Sequence, residues 1–213
     1  MTDANLPDDA YHAPSSPSST FAAGFVREAT GADLEAIGRV HAAAMLASLR
    51  AAYTAAHEAP LPAGVEAMVA PPVIAAGWEQ AVVAPPSPAH RVFVAVGEGG
   101  EVVGLIGVAP SPGGADAAGE ADGVDVNAAA RGLEVTALGV APECQRRGHG
   151  SRLLAAAADQ ARAQGASVLL AWAVRGDESL AGFLQGAGLT RMGSFRELPV
   201  GQGVTEDCWA AML

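Results

Sequence analysis

The six consecutive residues Gln145-Arg146-Arg147-Gly148-His149-Gly150 concentrate the chemistry of this 213-residue chain. Two guanidinium groups supply mobile cationic donors, and two glycines let the backbone curl tightly. The residues on either side tell what positions them. Upstream, Leu133 to Val140 alternates and is rich in β-branched residues, as a strand does, and Pro142 ends it because proline cannot donate to a ladder. Downstream, Leu153, Leu154, Ala157, Ala158 and Ala161 recur at helical spacing from about Gly148 to Gln164, and Gly165 closes the helix. A strand that feeds a helix through such a turn aims several unpaired N–H groups at one point, where the helix dipole adds positive potential. The turn is therefore an anion cradle suited to a diphosphate.

Two familiar phosphate motifs do not fit. A P-loop needs a lysine, and all 12 basic residues here are arginine. A dinucleotide fingerprint needs Gly-x-Gly-x-x-Gly, and the turn holds a single Gly-x-Gly. What fits is Leu138, Val140 and Pro142 followed by Gln145, Gly148 and Gly150, as Leu-x-Val-x-Pro and then Gln/Arg-x-x-Gly-x-Gly/Ala. This segment closely resembles the coenzyme A motif of the GCN5-related N-acetyltransferase (GNAT) superfamily. A second block, Asp177 to Leu189, is similar to that family's Asn-x-x-Ala-x-x-Phe-Tyr-x-x-x-Gly-Phe segment.

The resemblance covers about residues 24 to 213. It implies an α/β fold with a mixed, mostly antiparallel central sheet flanked by helices, whose fourth and fifth strands splay apart to admit pantetheine. It also implies acetyl-CoA as co-substrate, no metal, and transfer of acetyl to a primary amine of a small molecule or peptide by direct attack on the thioester. Carried over by motif position, the Leu138 N–H faces the thioester carbonyl, and Gly139 and Val140 line the pantetheine. Gln145, Arg146, Arg147, Gly148, His149, Gly150 and Ser151 cradle the pyrophosphate, with the His149 imidazole turned outward. The family asparagine falls on Asp177, whose carboxylate cannot donate the same hydrogen bonds.

Glu134 stands eleven residues before Gln145, the spacing at which many members carry a glutamate that removes the amine proton, usually through water. Strand alternation places Glu134, Thr136 and Leu138 on one face. Where the family often has a tyrosine acid, this chain has Leu184, and its only tyrosines are Tyr11 and Tyr53. A thiolate leaves tolerably without an acid, its thiol having a pKa around 8.5. That substitution keeps a second possibility open, a non-catalytic acyl-CoA-binding sensor or interaction module of the same fold. In the family the acceptor enters from the side built by residues 30 to 90, where His57, Glu58, Glu66 and Trp78 stand.

Composition narrows the partners. A net charge of −11 and a pI near 4.7 exclude nucleic acid as the main partner and favour a cationic acceptor. Two cysteines, Cys144 and Cys208, make no disulfide framework, so a reducing cytoplasm is the expectation. No apolar run is long enough to span a membrane. A monomer or homodimer is expected.

The remainder of the chain reads as follows. Residues 1 to 23, mixed in Pro, Ser, Ala and Asp, are expected to form a disordered tail, and residues 24 to 213 the transferase domain. Phe25 to Ala29 is a short strand, and Thr30-x-x-Asp33 is a capping box for a helix to about Tyr53, in which His41 is a satisfied core histidine. Helical patches lie near Val65 to Val69 and Ile74 to Val83, the second anchored by Trp78. Val92 to Val96 and Val102 to Val108 form a hairpin, and residues 110 to 132 a mobile acidic loop. Val168 to Val174 is a covered strand, residues 178 to 187 a short helix, and two strands close the chain.

Overall fold

The structure, a computed structural model, describes residues 24–111, 132–198 and 203–213. The expected tail over residues 1 to 23 and nearly all of the expected acidic loop lie outside the described residues. Among the described residues seven strands form one sheet in the order β1-β2-β3-β4-β5-β7-β6. These are β1 Phe25–Glu28, β2 Arg91–Val96, β3 Val102–Pro110, β4 Gly132–Val140, β5 Val168–Val174, β6 Thr190–Glu197 and β7 Thr205–Met212. Every neighbouring pair is antiparallel except β4 with β5. The α/β class and mixed sheet expected from the sequence are present.

The first helix, α1 (Leu34–His57), runs past the expected end at Tyr53. It begins as expected from Thr30, whose N–H and hydroxyl both donate to the Asp33 carboxylate, 2.8 and 2.9 Å away. Helices α2 (Ala63–Met68) and α3 (Pro71–Val83) follow, with Pro71 at a helix start, where its missing N–H costs nothing. Helix α1 lays Ile37 and Val40, and α3 lays Trp78, Ala81 and Val82, against Val92, Val94 and Leu105 on one face of the sheet. On the other face α4 (His149–Ala163) lays Leu153, Leu154, Ala157 and Ala161, and α5 (Glu178–Gly186) lays Leu184, against Ile106, Val135, Leu169 and Ala171. The sheet is therefore covered on both faces at its centre, which explains the unbroken apolar run of β5.

His41 accepts a hydrogen bond at its Nδ1 from the Trp78 Nε1–H, 2.9 Å away, and burial lowers its pKa to about 4. It is the neutral, satisfied core histidine that its place on the apolar stripe implies.

Candidate active site

Strands β4 and β5 pair over only four residues, Gly132–Val135 with Val168–Ala171, and then part. On its other side β4 stays on β3 as far as Gly104 opposite Val140. Residues 136 to 140 thus have one bonded edge and one open edge. Ala141 N–H donates to the Val103 carbonyl, which sets the phase of the ladder. In an antiparallel pair alternate residues turn their backbone groups to opposite edges, so Gly139 bonds β3, while Leu138 and Val140 turn theirs to the open edge. Two sets of backbone donors and acceptors face the splay.

A cleft of about 730 Å³ opens there. Leu138, Gly139 and Val140 form its floor, and Gln145, Arg146, Gly148, His149, Gly150 and Ser151 one end. Ala44, Ala47, Ser48 and Ala51 of α1 form one wall, and Asp177 to Leu180 with Gly182 and Phe183 the other. Ten of the eleven sequence-derived site residues other than Glu134 line it; Arg147 is the exception.

The turn before α4 is built by positive φ at Arg146 (61°) and Gly148 (80°). A Cβ on Gly148 would meet only the end of the Arg152 side chain, 3.0 Å away, so the glycine is needed chiefly for its left-handed backbone. Among the described residues no side chain caps α4, and the N–H groups of His149, Gly150 and Ser151 stand without helical partners at the cleft's end. A Cβ on Gly150 would stand 3.4 Å from the Phe183 ring, narrowing the space where a ligand passes. Uncapped donors beside a glycine-cleared gap fit a diphosphate, and the open strand edge fits an amide-bearing chain.

Asp177 is buried and already engaged. It caps α5, accepting from the Leu180 N–H at 3.0 Å, and it accepts the Ser48 hydroxyl of α1. Sequence reasoning missed Ser48. Its signal was the spacing of Ala44, Ala47, Ser48 and Ala51, a stripe of small side chains at i, i+3, i+4 and i+7 that leaves room beside α1.

Four expectations change. The β3–β4 register shifts between Gly107 and Val108, so Thr136 is an extra residue and alternation breaks. Glu134, opposite Ala109, falls on the α1 face, whereas Leu138, opposite Ile106, falls on the α4 face. Only the backbone of Leu138, lying in the sheet plane, shares an approach with Glu134. At the bulge Gly107 leaves room for the Trp78 ring, since a Cβ there would come within 2.5 Å of it.

Second, the His149 imidazole turns inward rather than outward. It is buried at 6%, with Nδ1 3.1 Å from Arg152 Nη2, next to the space left by the missing Cβ of Gly24. Burial, and then the positive Arg152 and Arg147, lower its pKa.

Third, Arg147 lines an adjoining cavity of about 360 Å³ with Glu98, Glu101 and Arg152, which meets the main cleft at Cys144 and His149, and Arg147 does not line the main cleft itself. Fourth, Leu184 is 1% exposed in the core, and Phe183 is the residue of that turn that faces the cleft. Among the described residues the lining hydroxyls are those of Ser48, Ser151 and Ser179. Tyr53 instead packs against the His57 ring, with centroids 4.3 Å apart and the planes tilted by 43°.

Glu134 has a 14% exposed side chain and lies 3.5 Å from Arg196 Nη1, a loose ion pair. Arg196 Nε holds Glu206 more closely, at 2.7 Å, and its guanidinium stacks 4.2 Å over the Trp172 ring. Trp172, Arg196 and Glu206 come from three later strands, and no local spacing in the sequence could connect them with Glu134. Among the described residues no group of three His, Cys, Asp or Glu side chains converges to hold a metal ion, and no helix is long and apolar enough to cross a membrane.

Residues 53–188 match the model of the acetyltransferase (GNAT) family. No curated protein matches the chain by sequence. Solved structures do match. An N-acetyltransferase from Staphylococcus aureus Mu50 is 17% identical with a TM-score of 0.59, over 89% of this chain and 98% of that one. The yncA protein of Salmonella typhimurium, solved with its cofactor acetyl-CoA, is 20% identical with a TM-score of 0.57, over 89% and 94%. The match to a nourseothricin acetyltransferase is 22% identical with a TM-score of 0.48 and spans 59% of this chain and 66% of that one.

Proposed function

From its membership of the GNAT acetyltransferase family, to which the chain belongs, we propose that it moves the acetyl group of acetyl-CoA to a primary amine of a small molecule or peptide. The observation that carries this reading is the convergence on one cleft of two sets of backbone groups that take no part in a helix or sheet ladder, although the Val140 carbonyl already accepts from Gln145 Nε2 at 3.4 Å. One set is at the N-terminus of α4, and the other is the open edge of β4 at Leu138 and Val140.

Acetyl-CoA, when bound, supplies a thioester whose carbonyl carbon accepts a nucleophile. The residues that would hold it are those of the cleft. The N–H groups of His149, Gly150 and Ser151, with Gln145 and Arg146, meet the diphosphate. The Val140 backbone meets the pantetheine amide. Asp177 contributes acceptor oxygens and keeps α1 and α5 together through Ser48. The Leu138 N–H is the donor for negative charge that develops on the thioester oxygen, a fixed dipole that needs no reorganisation.

Glu134 is the base. The nucleophile must be a neutral amine, and a carboxylate reached through water removes the ammonium proton. Its place on the α1 face means that the amine approaches the open β4 edge from that side. Arg147 is assigned no contact with the diphosphate.

Release of free thiol from acetyl-CoA, followed with a panel of primary amines, tests the reading. Turnover that depends on the amine is expected. Coenzyme A binding without turnover on any amine would instead favour the non-catalytic acyl-CoA-binding module, a reading that the absence of a tyrosine from the described cleft keeps alive. Failure to bind coenzyme A at all would overturn both.

A further inference from the structure

Building on that reading, we infer that Glu134, Trp172, Arg196 and Glu206 form the acceptor subsite, and that it selects amines of net positive charge over zwitterions. The four residues lie on one face. Glu134 is beside Leu170 on β5, Trp172 is two residues further along β5, Glu206 is opposite Val174, and Arg196 is opposite Glu206. The carboxylates are only 14% and 15% exposed, while Arg196 stands over the indole with a 47% exposed side chain. The chain's own guanidinium thus shows that this aromatic and acidic surface seats a cation.

The charges decide the selectivity. Two carboxylates face one guanidinium, and the nearby Cys208 thiol is neutral because burial raises its pKa to about 11. The patch is one negative charge in excess, so its field attracts an acceptor of net positive charge and repels the far carboxylate of a zwitterion. The distances decide where the ammonium goes. Arg196 grips Glu206 at 2.7 Å and Glu134 only at 3.5 Å, so an incoming ammonium takes Glu134 while Arg196 remains on Glu206 and Trp172. Arg196 is then a positioning residue that competes for Glu134, not a carboxylate anchor.

Calorimetry on the coenzyme A-loaded protein with putrescine and γ-aminobutyrate tests this, because the two probes present the same primary amine with opposite charges at the far end. Putrescine should bind about tenfold tighter or more, with the gap shrinking in high salt. Arg196→Met should tighten putrescine, and Glu206→Gln, which frees Arg196 to pair fully with Glu134, should weaken it. Equal binding of the two probes, tighter γ-aminobutyrate, or Arg196→Met that loses putrescine would overturn the assignment. Coenzyme A affinity, measured first, separates this outcome from failure of the transferase reading itself.

Discussion

Asp177 accepts two hydrogen bonds at once, from the Leu180 N–H at 3.0 Å and from the Ser48 hydroxyl, and so fastens α5 to α1 beside the cleft. One carboxylate serves as helix cap and as tie across the cavity. Removing it in Asp177→Ala should cost about 1 to 2 kcal/mol, a lost cap plus an unpaired hydroxyl. Asp177→Asn keeps a capping oxygen and should cost less, with coenzyme A affinity retained or improved by its new donor. Urea unfolding and calorimetry of the two variants check both parts.

The α4 turn should tolerate side chains unevenly. Gly148→Val forces a β-branched residue to φ 80°, and Gly150→Val fills the gap beside Phe183. Each should weaken coenzyme A about tenfold or more, since the backbone donors no longer converge. Arg146→Ala should weaken it more than Arg147→Ala, because only Arg146 lines the cleft. An unchanged dissociation constant in Gly148→Val would refute the cradle assignment.

If Glu134 takes the amine proton, Glu134→Gln should lower turnover about 10²-fold or more near neutral pH with acetyl-CoA affinity nearly intact. Raising the pH should recover part of the loss, as more amine is neutral without help. Full activity at every pH would mean that the enzyme works by positioning alone.

Leu184→Tyr separates sequence position from geometry. By motif alignment the new hydroxyl would stand near sulfur and aid turnover. In the fold Leu184 is in the core, so a larger polar side chain should destabilise by about 1 to 3 kcal/mol without raising kcat. Denaturation midpoints together with thiol release distinguish the two outcomes.

Stability in acid should fall in two windows. His41, with a pKa near 4 when folded and 6.5 when unfolded, binds protons more readily in the unfolded chain. Its contribution is therefore full above 6.5 and is lost as pH falls toward 4, on the order of 3 kcal/mol. Asp33, held near 2 chiefly by its hydrogen bonds from Arg27, loses its contribution only as pH falls below 3.8 toward 2. His41→Gln, which can still accept from Trp78, should flatten the upper window and leave the lower one unchanged. Urea titrations across pH check this.

The phosphate turn, the strand before it and the helix after it were legible in the sequence because their causes are local. Proline lacks an N–H, glycine alone adopts the φ of 80° found at Gly148 without strain, and apolar residues recur at the period of the element they build. The same periodicity placed His41 in the core and gave nearly every strand and helix within a few residues. What only the tertiary structure decided depends on neighbours far along the chain. The bulge at Thr136 is a matter of how β4 registers on β3, and it overrides the two-residue alternation that had put Glu134 and Leu138 on one face. Phe183 rather than Leu184 meets the cleft because α5 is rotated by its packing on the sheet. The pairing of Glu134 with Arg196 spans 62 residues, and that of Ser48 with Asp177 spans 129. Such contacts follow from strand order and helix docking, which collapse separated segments onto one surface, and no spacing along the chain encodes them.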